Sequence, residues 1–261
     1  MRILLYSIFL FGPALASFAS MQRKYSLAAL CAVVLVVATA AMAPKQRNSF
    51  QAHMRIRSAQ SGMMNTVEAD VFYNLDGRMV SFYTLPQEYT IISNRQGAIQ
   101  IYNPEAHTVM QQNSLAFSTE NSQLYFFLQN RAYDLGLGAM GFTNRNTTYE
   151  EGLMVSEWLP PVEMAEQLSQ VKMVHEGPNP IYVEYQQPDG SVLKKIYFYK
   201  YHAVGNQQFP QAMTQIDYFS DSDSLLTKTE FTDFKLDADV DRDRLNFTVP
   251  ADAQLITPEE K

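Results

Sequence analysis

The chain has one cysteine, Cys31, inside an apolar run near its N-terminus. From residue 44 onward there is no thiol, so that part can form no disulfide and has no cysteine nucleophile. Leu30 precedes Cys31 and the apolar run continues past it, which excludes lipoprotein processing there. Histidine is scarce as well. His53, His107, His175 and His202 are far apart, and none stands in a zinc-type spacing with carboxylates or cysteines. Each reads as a strand surface residue rather than a ligand. No Gly-x-Ser-x-Gly elbow, phosphate-cradling glycine loop or His-Glu-x-x-His motif is present. Asp237, Asp239, Asp241 and Asp243 alternate, but Arg242 and Arg244 interrupt them, and no Gly and terminal Glu complete a calcium loop. They read as a solvated turn. The expectation is a protein without catalytic residues, metal or cofactor, and not an enzyme.

Positive charge is also in short supply. The chain has 20 Lys and Arg against 27 Asp and Glu, a net charge of −7. Arg2, Arg23 and Lys24 lie in the first 43 residues and no acid does, so the remainder is more acidic still. Such a surface repels phosphate backbones and anionic lipid, which argues against nucleic-acid binding and against flat electrostatic attachment to membranes.

What is present begins with two apolar stretches. Residues 21–43 have the layout of an export signal: Arg23 and Lys24, a run of Leu, Ala and Val, then small residues. Residues 1–43 are the expected leader, or 21–43 if Met21 is the true start. Cleavage is expected after Ala40 or Ala43, and a retained anchor is the alternative. Residues 44–261 are expected to form a single exported domain, acting as a monomer.

That domain reads mainly as β-structure. Strands are expected at His53–Ser58, Thr66–Tyr73, Met79–Leu85, Tyr89–Ser93, Ala98–Tyr102 and His107–Gln111, with turns between them. Gly77 closes the Asn74–Gly77 turn, free to take positive φ. Ser122–Leu135 places Leu124, Phe127, Leu128 and Leu135 at helical spacing, stopped by Gly136 and Gly138. Gly141–Thr148 reads as a polar loop. Pro161–Val171 is either a second short helix or a loop with a strand beginning near Ser169. Strands return at Ile181–Tyr185, Val192–Tyr201, Met213–Phe219, Leu225–Phe234 and Leu245–Val249. The implied architecture is a large curved antiparallel sheet with one or two helices between its halves. Sixteen Phe, fifteen Tyr and thirteen Met either fill a core or line a partly open apolar cavity, a role that suits the adaptable methionine side chain.

Two stretches carry a resemblance. In Met79–Val109, Phe82, Pro86, Ile91–Ser93, Gly97 and Tyr102-Asn103-Pro104 follow the order of the signature region of LolA-type periplasmic lipoprotein carriers. In Phe234–Ile256, Phe247 and Pro250 resemble that family's closing strand. The resemblance implies an incomplete antiparallel β-barrel with lid helices across its open side. It also implies an apolar space that receives acyl chains. A lipid-modified protein or similar amphiphile would be the cargo, taken from an inner-membrane release complex and handed to an outer-membrane acceptor. Arg78 is the nearest match to the arginine that holds the lid closed, although the Asn74–Gly77 turn replaces the expected run. Phe82, Ile91, Ile99 and Ile101 from the sheet, with Phe127 and Leu128 from the helix, either line that space or belong to ordinary core. The rival function on the same fold is a regulator that senses lipids or misfolded proteins during envelope stress. Sequencing the N-terminus of the chain recovered from a bacterial periplasm is expected to begin at Ala41 or Pro44. An intact leader there would instead establish the retained anchor.

Overall fold

The computed structural model describes residues 49–257, except 122, 130, 205–206 and 221–222. The expected leader, residues 1–43, lies outside the described residues. Fourteen strands form one sheet: β1 (Ser49–Gln60), β2 (Met63–Asn74), β3 (Met79–Leu85), β4 (Tyr89–Ser93), β5 (Ala98–Asn103), β6 (Thr108–Asn113), β7 (Thr143–Glu150), β8 (Leu153–Leu159), β9 (Gln170–Glu176), β10 (Asn179–Gln186), β11 (Val192–Val204), β12 (Gln207–Ser220), β13 (Asp223–Leu236) and β14 (Gln254–Ile256). Their spatial order is β14-β6-β5-β4-β3-β2-β1-β13-β12-β11-β10-β9-β8-β7. Neighbours are antiparallel except β14, which runs parallel to β6. The sheet is strongly curved and does not close into a barrel. The expected mainly-β, half-barrel architecture is the one observed.

Alternation along the strands gives this sheet two faces, each with its own apolar cluster. The first, the lid face, carries Phe50 and Ala52 of β1, Ala69, Val71 and Tyr73 of β2, and Phe231 of β13. Across the sheet it continues through Phe198 and Ile196 of β11 to Val183, Met173 and Trp158. Residues from β2 and from β8 join a single cluster although six strands separate them in the sheet, which requires the sheet to bend around that core. Fully burying each large side chain contributes about 1.5–3 kcal/mol. A short helix, α1 (Gln123–Leu128), and the turns after it cover this face.

The helix is shorter than its sequence pattern suggests. Between Leu128 and Leu135 only Ala132 and Tyr133 are not polar, so a continued helix would present a mostly hydrophilic turn to the core. The chain stops instead. Arg131 N–H donates to the Phe126 carbonyl at 2.8 Å, and Leu135 reaches the core from a turn, with φ +46°. Six residues are too few to hold a helix by themselves; packing does it, through Phe127 against Phe198 and Phe209 (ring centroids 5.4 and 5.8 Å).

Other boundaries moved too. The expected polar loop at 141–148 is largely strand: β7 is exposed along its whole length and forms one sheet edge. With no apolar alternation it gave no strand signal, and its partner β8 went unread with it. Pro161–Val171 follows the loop reading, with a single 3₁₀ turn at Val162–Met164 and β9 beginning at Gln170. Gly77 closes its turn at φ +95°, where an added Cβ would strike the Arg95 side chain.

The second face, the tail face, holds Phe72, Val80 and Ile92 under Val240 and Leu245, with Phe82, Phe247 and Val249 packed alongside. The expected strand Leu245–Val249 is absent. Its first residue ends a four-residue helix, α2 (Arg242–Leu245), capped by the Asp241 carboxylate, which accepts from the N–H groups of Asp243 and Arg244. The carbonyls of Leu245 and Phe247 are taken by the Arg78 guanidinium rather than by a neighbouring strand.

Arg244 sits over the rings of Phe72 and Phe82, 4.9 and 4.4 Å from their centroids, and its Nη1 lies 2.7 Å from Asp70. His53 Nδ1 contacts the same carboxylate at 2.9 Å. Burial pushes the Asp70 pKa up, but the hydrogen bonds from His53 and Arg244 outweigh it and hold the carboxyl below its ordinary value. A carboxylate depressed in the fold stabilises it fully above the unfolded pKa of about 3.9, and loses that contribution as pH falls through the folded value. Denaturant titrations from pH 7 down to pH 2.5 are expected to show Asp70→Asn less stable than the parent at neutral pH, with the gap narrowing below about pH 4.

Candidate ligand crevice

On the lid face a crevice of about 420 Å³ opens between the cover and the sheet. Its cover side is Tyr125 and Phe126 of α1 with Leu135, Gly136, Ala139 and Met140 from the following turns; its sheet side is Tyr185 of β10 and Ile196 of β11. The volume falls in the range of about 300–1,000 Å³ typical of small-molecule sites. Glu120, Arg131 and Lys194 supply charge at its margin.

The cover is held in place from several directions. Ser118 Oγ donates to the Arg95 carbonyl at 2.7 Å, and Thr119 Oγ1 to that of Gly77 at 2.8 Å, which fastens the approach to α1 onto two turns of the sheet. Arg95 Nε lies 3.4 Å from Glu120, and the Tyr125 hydroxyl donates to the same carboxylate at 3.2 Å. Farther along, Tyr133 stacks on His175 at 5.6 Å. His175 was expected on a strand surface, but it is only 1 % exposed. Burial lowers its pKa, opposed by the backbone of Tyr133.

Within the crevice, Gly136 has φ +83°, and an added Cβ would lie 2.3 Å from the Phe126 ring. The missing side chain is the space the ring occupies. Burial pushes the Tyr185 phenol pKa up, so its hydroxyl enters the apolar wall uncharged. The walls can shield apolar matter from water, while the charges at the margin stay wet.

The residues expected to line a cavity are distributed otherwise. Phe82 lies on the tail face, its ring 5.7 Å from Phe72 and 5.4 Å from Phe247. Counting alternate residues through the β3–β4 register puts it opposite Ile91, Ile99 and Ile101, which share the lid face and are half-buried there without lining the crevice. Phe127 is buried in the lid-face core, and Leu128 packs partly buried beside it. Arg78 was expected to close the lid. It clasps the C-terminal stretch on the other face, because its position just before Met79 points it away from α1. Sequence reasoning missed Tyr125, Phe126, Met140 and Tyr185. Helical spacing puts Phe127 and Leu128 on the inner stripe and Phe126 beside it, and the sequence marks Gly136 only as a helix stop.

A second hollow, about 510 Å³, lies along β4–β6. Ile92, Ala98 and Ile99 share its walls with Arg78, Asn94, Gln100, Gln111, Gln112 and Asn113, so Ile99, expected in a cavity, lines this hollow and not the crevice under α1. Among the described residues no group of three or more His, Cys, Asp or Glu side chains could hold a metal ion.

A strongly bent open sheet whose inner face is roofed by a short helix and its turns defines the LolA-like fold. Two solved structures share this fold at TM-scores above 0.5. The chain is similar to a DUF1329 family protein from Desulfovibrio piger, at 11 % identity and TM-score 0.53, over 77 % of this chain and 91 % of that one. It is similar to a putative outer membrane lipoprotein-sorting protein domain from Vibrio parahaemolyticus, at 14 % identity and TM-score 0.51, over 76 % and 89 %. A LolA superfamily protein from Nitrosomonas europaea aligns at 11 % identity and TM-score 0.49, over 76 % and 90 %. No protein-family model matches the chain, and no curated relative matches it by sequence.

Gly136→Ala is expected to lower stability by more than about 1 kcal/mol in urea unfolding, because alanine is strained at positive φ. A stability equal to the parent's would show that the glycine is not needed there.

Proposed function

We propose that this protein is an exported carrier that shields the acyl chain of a lipid-modified protein or another amphiphile during passage across the periplasm. The observation that carries this reading is the crevice between α1, its following turns and strands β10–β11, walled by Tyr125, Phe126, Leu135, Met140, Tyr185 and Ile196. Each methylene hidden from water contributes about 0.8 kcal/mol, so a bare chain of a dozen carbons does not cross an aqueous space unaided. A shallow, partly open crevice shields the chain without retaining it irreversibly, and Met140, with its flexible thioether at the mouth, adapts to guests of different shape. The acidic composition, the leader-like residues 21–43 and the likeness in fold to a lipoprotein-sorting domain support the same reading. The reading requires no covalent chemistry.

The test is direct. Organic extraction of the protein purified from a bacterial envelope is expected to release acyl lipid, and a fluorescent acyl probe should bind one site. Met140 is 51 % exposed, so Met140→Asp should leave the unfolding midpoint in place. It is expected to weaken probe binding about tenfold, equivalent to about 1.4 kcal/mol. The absence of both extracted lipid and probe binding would overturn the carrier reading.

A further inference from the structure

We infer that the crevice selects an amphiphile with a single acyl chain and an anionic head, such as a fatty acid or a single-chain phosphate ester. This inference rests on the carrier reading and names the class of its ligand.

Size is the first argument. A crevice of about 420 Å³ lies toward the lower end of the range of about 300–1,000 Å³ for small-molecule sites, which favours one chain over the two or three of a fully acylated lipoprotein. Charge is the second. Three ionisable groups border the crevice besides its tyrosines: Glu120, Arg131 and Lys194. Glu120 is engaged by Arg95 and by the Tyr125 hydroxyl. Lys194 lies 3.1 Å from Asp217 on β12, whose other carboxylate oxygen accepts from Gln215. Glu120 and Lys194 are thus each balanced by an opposite charge, and Arg131 is the remaining cation at the border of the apolar slot. On a chain of net charge −7, a crevice margin whose balance is positive is a local reversal of sign. An apolar slot bordered by a guanidinium fits a tail ending in an anion.

Competition against a bound fluorescent acyl probe tests this on the full chain at pH 7.5, with tetradecanoate, tetradecanol and a triacylated lipopeptide as competitors. Tetradecanoate is expected to compete at least tenfold better than tetradecanol, and raising salt from 50 to 500 mM should weaken the acid and not the alcohol. Arg131→Gln should weaken tetradecanoate several-fold and leave tetradecanol unchanged, the alcohol serving as the check that the variant is folded; Arg131→Lys should restore the acid. Equal competition by acid and alcohol, or stronger competition by the lipopeptide, overturns the inference and leaves the carrier reading standing. Failure of any acyl probe to bind overturns the carrier reading itself.

Discussion

The short helix that roofs the lid face takes its place from the packing of Phe127 against Phe198 and Phe209. Six residues have no helical stability of their own in water, and the turns that follow are irregular. The insertion of this ring among rings that β11 and β12 present from below fixes the helix, and Leu137 and Phe142, buried in the same core, fix the turns. The polar fastenings at Ser118, Thr119 and Glu120 set where the helix begins; those of Ser118 and Glu120 are partly exposed, that of Thr119 is buried, and each contributes less than a buried aromatic. Phe126, the adjacent residue, is left at the side of this anchor, and the crevice exists because that ring rests on a glycine instead of reaching the sheet.

The two faces divide the labour of the sheet. The lid face buries a large aromatic core and keeps a gap beside it. The tail face is closed by the chain's own C-terminal stretch, held by Arg78 on two backbone carbonyls and by Arg244 between two phenylalanine rings and Asp70. Closure on that side relieves the open sheet of a second exposed apolar surface, which would otherwise invite association with other chains.

The β-rich half-barrel was legible in the sequence because period-two alternation and turn residues mark its strands. The expected bounds of β3 and β4, Met79–Leu85 and Tyr89–Ser93, are those observed. What was not legible depended on tertiary contacts. β7 has no buried residue to reveal it. The end of α1 is decided by which residues could reach the core, and the fate of Leu245–Val249 by an arginine more than 160 positions away. The crevice was half legible: that the cover would be aromatic and helical could be read, but not which ring would plug the core and which would stand aside.

The order of the strands bears on how the chain reaches this state. β1 lies at the centre of the sheet, between its immediate successor β2 and the late strand β13, so that Arg57 meets Glu230 across 173 positions of chain. The first six strands can meander together as soon as they are available, yet β1 keeps one bare hydrogen-bonding edge until almost the last strand has arrived. Pairings so distant in sequence make for slow folding. While that edge is bare, a second copy of the chain competes with β13 for it, and dilution favours the native pairing.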